Sequence, residues 1–368
     1  MASAFGWHGD GAATYKTLRG NNGVAQSNWE GVKDESMFLG LPRPTSEALV
    51  FQYPYNPEEE DWKSYVNASL TQVFYTVNKY HDLLYLLGFN EKAGNFQLNN
   101  NGKGGKEGDW VYMLVQDSSG FDNANFLTAP DGQPGRLTLY MSTSTTPWRD
   151  SAFSAGTLLH EYTHGLSNRL TGGPANAACL EPWEPGAMGE GISDWFATAI
   201  RIKPNDTRKK DYPINGWEDG SELVGGRPWV LSTNITTNPL VYTDADGDKV
   251  PIMHWVGTIF ATMLWEVLWN LIDKHGNNKA DVPEFNGNVP TDGKYLAMKL
   301  VMDGMALQPC NPNYIQARDA ILDADQALTG GQNKCLIWEG FAKRGLGTGA
   351  ISYDWKNRTG SFDLPEAC

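Results

Sequence analysis

The chain has 368 residues, 40% of them hydrophobic and 12% aromatic, and a formal net charge of −14. That length and apolar content suit a sizeable core split over two lobes and exclude a disordered chain. The acidic balance argues against a nucleic-acid partner or an anionic membrane surface, which need basic patches, and suits solubility in an extracellular fluid.

In chain order, the opening MASAFGWH is polar and glycine-rich, without the apolar stretch of a signal peptide. In a secreted protein it reads as a mature form freed of signal and propeptide, with Met1 an added residue. Residues 1 to about 60 are rich in Gly, Pro and polar side chains and predict loops and short strands. A first long helix is predicted over 62–88, ending near Gly88. From Gly94 to Arg149 the text is strand-like: WVYMLVQD, ANFLTAP and RLTLYMST, with DGQPG as a turn. Helices follow at about 152–170, 186–202, 254–274, 292–307 and 312–329. The expected fold is α+β and two-lobed: residues 1–152 form a β-rich N-terminal lobe with one long helix, and 153–368 a helical C-terminal lobe.

The apolar run WVGTIFATMLWEVLWNLI (255–272) is nearly long enough to span a bilayer. Glu266 within it would cost roughly 2.5–3.5 kcal/mol on insertion. A buried helix is the better reading. The four cysteines predict a secreted protein with two bridges. Cys310–Cys335 closes the shortest loop, and Cys368 could then pin the tail to Cys179. Sequons stand at Asn67, Asn205, Asn234 and Asn357. The loop with Asp244, Asp246 and Asp248 is a calcium candidate, but it lacks the Gly at the sixth loop position and the distal Glu of an EF-hand. The Asp246–Gly247 pair reads more simply as a hairpin turn.

The strongest chemical signal is HEYTH, 160–164. On a helix His160 and His164 project from one face, at the spacing at which two imidazoles share a zinc ion. Glu161 then lies beside the metal, placed to take a proton from its water. Zinc needs a third protein ligand. In GAMGEGISDWF, Glu190 and Asp194 share a helical face opposite apolar Ile192, Trp195 and Phe196. Glu190 is assigned as that ligand, and Asp194 as an acceptor that fixes a ligand histidine's tautomer. The HEYTH helix would begin the second lobe and floor a cleft between lobes holding a single zinc.

HEYTH followed by GEGISD resembles the thermolysin-like zinc endopeptidases. More of the chain is similar to one branch, the fungalysins, secreted fungal metalloproteases. FGWH (5–8), RGNN (19–22), NKYHDLLYLLGFNEKAGNFQ (78–97), DNANF (122–126), PDGQPGRLTLY (130–140), HEYTHGLSNRLTGGPANAACL (160–180) and MLWEVLWNLIDKHG (263–276) carry the likeness. Trp255 and the loop VYTDADGDKVPIM depart from the pattern. The resemblance implies a secreted, monomeric endopeptidase acting on proteins and peptides, with broad specificity, a hydrophobic residue on the leaving-group side, and its own propeptide as inhibitor. It further implies that His254 steadies the oxyanion, that Asn123 and Ala124 lie on an edge strand pairing with substrate, and that Arg227 grips a substrate carbonyl. The tyrosine donor of related enzymes has no counterpart between His164 and Glu190. The rival reading is an inert zinc- or carbohydrate-binding secreted protein on the same scaffold, which would have little reason to keep Glu161.

Overall fold

The computed structural model describes residues 2–181, 183–247 and 252–368, and the fold is mixed α+β. Asp248 of the acidic loop lies outside the described residues. The chain divides into two compact units. One comprises Met1–Arg169 and Asn215–Leu223, the other Leu170–Ile214 and Val224–Cys368.

The first unit is built on a four-stranded sheet of order β1 (Gly23–Ser27), β2 (Val111–Val115), β4 (Gly135–Leu139), β3 (Ala124–Leu127). β1, β2 and β4 run parallel, and β3 is antiparallel to β4 with Ala124 opposite Leu139. GVAQS and VYMLV are almost wholly buried, as parallel strands covered on both faces must be. Helix α1 (Val66–Leu87) turns Leu70, Val73, Phe74, Val77 and Leu84 into the core at helical spacing. It ends at Gly88, whose φ of 120° only glycine adopts easily. Helix α2 (Ala155–Leu170) lies in this unit as far as Arg169, and the segment Asn215–Leu223 returns to it.

The second unit is helical: α3 (Trp183–Ile200), α4 (Met253–His275), α5 (Gly293–Leu307), α6 (Tyr314–Thr329) and α7 (Lys334–Lys343). α4 is the apolar run of the sequence, and Val256 to Ile272 is buried except for Asn270. Glu266 survives there because Arg344 donates two hydrogen bonds to it, at 2.9 and 2.7 Å, and Lys343 a third at 2.8 Å. α3 and α4 approach closely through glycine. A Cβ on Gly191 would stand 2.2 Å from the Gly257 carbonyl oxygen, and one on Gly257 2.5 Å from that of Ala187. A hairpin of Ile351–Asp354 and Asn357–Thr359 ends the unit.

Two expectations are corrected. The division falls at Arg169/Leu170, not at 152/153, so the HEYTH helix belongs to the β-containing unit. Its buried face is covered by aromatic side chains from earlier in the chain. The disulfides are Cys179–Cys310 and Cys335–Cys368, with Cα separations of 4.6 and 5.3 Å. Cys310 and Cys335 flank α6, a 16-residue rod about 24 Å long, and loop length alone ignores that rigidity. In the acidic loop, Asp244 lies in a 3-10 turn, Tyr242–Ala245, where its carboxylate accepts from Val241 N, and Gly247 stands in a turn.

Candidate metal centre

α2 is held by its own sequence. Tyr162 is fully buried and meets the rings of Tyr80, Phe96 and Phe126 edge-on, with centroids 5.5–5.8 Å away. Thr163 shares a 2.7 Å hydrogen bond with the Tyr80 hydroxyl. Gly165 lets the helix settle against the same rings, since a Cβ there would stand 2.7 Å from both Phe126 and Phe96. One turn on, Arg169 is fully buried. It pairs with Asp109 at 2.8 Å and donates to the carbonyls of Gly94, Ala129, Pro130 and Gln133. At the other end Glu218 is buried and accepts from the hydroxyls of Ser151 and Thr157. Burial pushes its carboxyl above the usual range against those hydrogen bonds.

With the core side so occupied, the HEYTH face carries His160 and His164, whose Nε2 atoms are 3.0 Å apart. Glu161 is buried beside them. On α3, Glu190 lies between Gly189 and Gly191. The ligand atoms of His160, His164 and Glu190 all fall within 4.8 Å of one another, the one group of this kind among the described residues. Two imidazoles and a carboxylate are a zinc donor set. Bonds of about 2.0–2.1 Å in a tetrahedron put ligand atoms roughly 3.3 Å apart, so the spacing fits the ion.

Asp194 is fully buried and receives the guanidinium of Arg227, from Nε at 2.8 Å and Nη2 at 3.1 Å. Two residues singled out separately in the sequence are thus one charge pair. His254, in the first turn of α4, sits with Nε2 3.2 Å from the Glu190 carboxylate, and its side chain is 46% exposed. β3 is an edge strand. Asn123, just before it, is exposed and its side chain accepts from Ala124 N at 2.9 Å, while Ala124 is buried. The strand's far end reaches α2, where Thr128 Oγ1 donates to the His164 carbonyl at 3.4 Å. Sequence reasoning missed Arg169 and Glu218. The one available signal for Arg169 was a cation on the inward face of an amphipathic helix, and Glu218 had none.

The fungalysin metallopeptidase family (M36) matches residues 1–350 of this chain. Over 367 residues the chain is 61% identical to an extracellular metalloproteinase MEP of Leptosphaeria maculans, covering all of this chain and 57% of that protein. It is 61% identical over 365 residues to an extracellular metalloproteinase of Pyrenophora tritici-repentis, covering 99% of this chain and 55% of that one. An extracellular metalloproteinase of Aspergillus fumigatus is 58% identical over 366 residues, covering 99% and 56%. The chain therefore spans little more than half the length of these relatives.

Proposed function

We propose, from the premise that this chain belongs to the fungalysin family of metallopeptidases, that it is a secreted zinc endopeptidase using an activated water as nucleophile. The observation that carries the reading is the convergence of His160, His164 and Glu190 with Glu161 next in sequence to the first histidine. The relatives' names, all extracellular metalloproteinases, support both the reaction and the location. These three residues would hold one zinc, which when bound supplies Lewis acidity to the scissile carbonyl and lowers the pKa of the attacking water. In the acidic loop, the candidate for calcium, the Asp244 carboxylate accepts from Val241 N.

The chain's own groups do the rest. Glu161 accepts the proton of the attacking water and passes one to the leaving amine. His254 donates to the carbonyl oxygen as charge develops there, a contribution of about 2.7–4 kcal/mol in comparable sites. Its contact with Glu190 gives it a second duty, orienting that carboxylate. Asp194 and Arg227 hold each other, and that pairing sets the direction from which the Arg227 guanidinium meets a substrate carbonyl. The edge of β3 at Asn123 and Ala124 pairs with extended substrate backbone, which reads main chain and tolerates many side chains. The substrates are proteins and peptides with a hydrophobic residue on the leaving-group side, and the chain works as a monomer restrained by its propeptide until maturation.

The test is digestion of a mixed peptide library with and without a zinc chelator, read by mass spectrometry. Internal cleavage abolished by chelation is expected. Intact peptides, or trimming from the termini only, would overturn the reading.

A further inference from the structure

Glu190 and His254 must be held to fractions of an ångström, yet α4 starts without a side-chain cap: Ile252 precedes it and makes no capping side-chain hydrogen bond. What holds the first turns of α3 and α4 comes from elsewhere in the same unit. Glu184, in the first turn of α3, is buried. Its Oε2 accepts from Arg358 Nη2 at 2.6 Å and its Oε1 from Tyr314 N at 3.0 Å. Tyr314 is fully buried, and its hydroxyl donates to the carbonyl of Val256, in the first turn of α4, at 3.1 Å. The Arg358 guanidinium lies over the rings of Tyr242 and Tyr314, at 5.4 and 5.8 Å from their centroids. It stands 3.9 Å from Asp246, in the segment leading toward α4.

Arg358 belongs to the C-terminal hairpin, and the hairpin's turn touches the approach to each helix. Trp355 packs its ring against Trp183 at the start of α3, centroids 6.2 Å apart. Its carbonyl accepts from Gly247 N, ahead of α4, at 3.1 Å. The close glycine packing of α3 on α4 then transmits the position of these first turns to Glu190 and His254. We propose that this hairpin is a clamp whose Arg358 acts as a positioning residue for the metal ligand Glu190 and for His254. A buried cation serves better than an apolar residue here, because it fixes the Glu184 carboxylate in direction as well as in place.

The inference rests on the zinc peptidase reading, and its test separates the two. Wild-type protein, Arg358→Gln, Arg358→Lys and Tyr314→Phe are compared in three measurements. These are zinc affinity by competition with a chromogenic chelator, kcat and KM on a quenched-fluorescence peptide, and thermal unfolding. Loss of outer contacts to a metal site typically costs 10–100-fold. Arg358→Gln is expected to lose about 10-fold or more in zinc affinity and in kcat, with KM changed by less than about twofold. Arg358→Lys should recover part of both. A merely structural role would lower the melting temperature and leave zinc affinity and kcat intact well below it. Folded Arg358→Gln within about twofold of wild type in both quantities overturns the clamp. If Arg358→Gln does not fold, Tyr314→Phe decides: a fall in kcat at constant KM supports the clamp, and an unchanged kcat overturns it. A wild-type protein that neither binds zinc nor cleaves peptide defeats the peptidase reading instead.

Discussion

The two helices that bring the ligands are anchored by different physics. α2 sits in an aromatic socket of Tyr80, Phe96 and Phe126, with an arginine pinned to five acceptors at one end. α3 rests on backbone-to-backbone contact through Gly191 and Gly257, and its start is tied by ions and a disulfide. Buried carboxyls are met in two ways, and neither way is confined to one unit. Asp150, Glu218 and Asp325 accept from hydroxyl and amide donors, whereas Asp109, Glu184 and Glu266 face arginines. A socket of side chains yields a little when disturbed. A glycine contact between backbones does not.

The largest effect should come from chemistry carried by α2 alone. Glu161→Gln should lower kcat/KM by about 10²–10⁴ in metal-replete enzyme while zinc content stays at wild type. More than a tenth of wild-type activity would remove Glu161 from its role. Next are the bridges. Chain-entropy arguments give about 5 kcal/mol for Cys179–Cys310, which spans 131 residues, and about 4 for Cys335–Cys368, which spans 33. Paired serine variants in urea titration should keep that order. If the tail bridge matters more, the approach to α3 is less dependent on its staple than supposed.

Glu190→Ala should weaken zinc more than Asp194→Ala, for which about 10–100-fold is expected, measured by chelator competition. The reverse ranking would mean that Asp194 and Arg227 define the metal site. The glycines then sharpen the contrast in anchoring. Gly165→Ala pushes on two rings that can shift and should cost about 1–3 kcal/mol in urea denaturation. Gly191→Ala pushes on a backbone carbonyl and should cost more. Equal costs would erase the distinction between socket and backbone contact.

The smallest effect is on pH. Glu218 is pushed up by burial, so it is protonated more readily folded than unfolded. Its contribution to stability is whole below the unfolded value of about 4.3 and is lost as pH rises through the higher folded value. Glu218→Gln should flatten that part of the stability curve in denaturant titrations from about pH 4 upward. No flattening would mean that the carboxylate is held charged.

What could be read from the sequence was what local periodicity controls. HEYTH sits on a helix because its apolar and polar positions repeat at helical spacing, and the strand text at 111–115, 124–127 and 135–139 became β2, β3 and β4. The apolar run at 255–272 became a buried helix rather than a span. α7 went unseen, since Lys334–Lys343 is short and follows a Gly-Gly stop. The bridges differ from the expected pairing because each joins segments brought together by the fold, the approach to α3 with the loop between α5 and α6, and the start of α7 with the tail, which no spacing encodes. Glu218 and Arg358 had no signal, and Arg169 only its place on the inward face of a helix, for the same reason: a buried polar group is defined by a partner 60 to 174 residues away. Arg227 and Asp194 were each noticed, but their pairing was not.

The return of Asn215–Leu223 to the first unit bears on any attempt to cut the molecule into pieces. A recombinant fragment ending at Arg169 would contain the whole sheet, α1 and nearly all of α2, and would look like a natural minimal domain. It would lack Glu218, the acceptor for Ser151 and Thr157 at the head of the histidine helix. The chain passes from one unit to the other three times, so neither unit is a single stretch of gene. A proteolytic nick at one passage leaves the other two intact, and swapping a unit between relatives needs all three junctions matched rather than one.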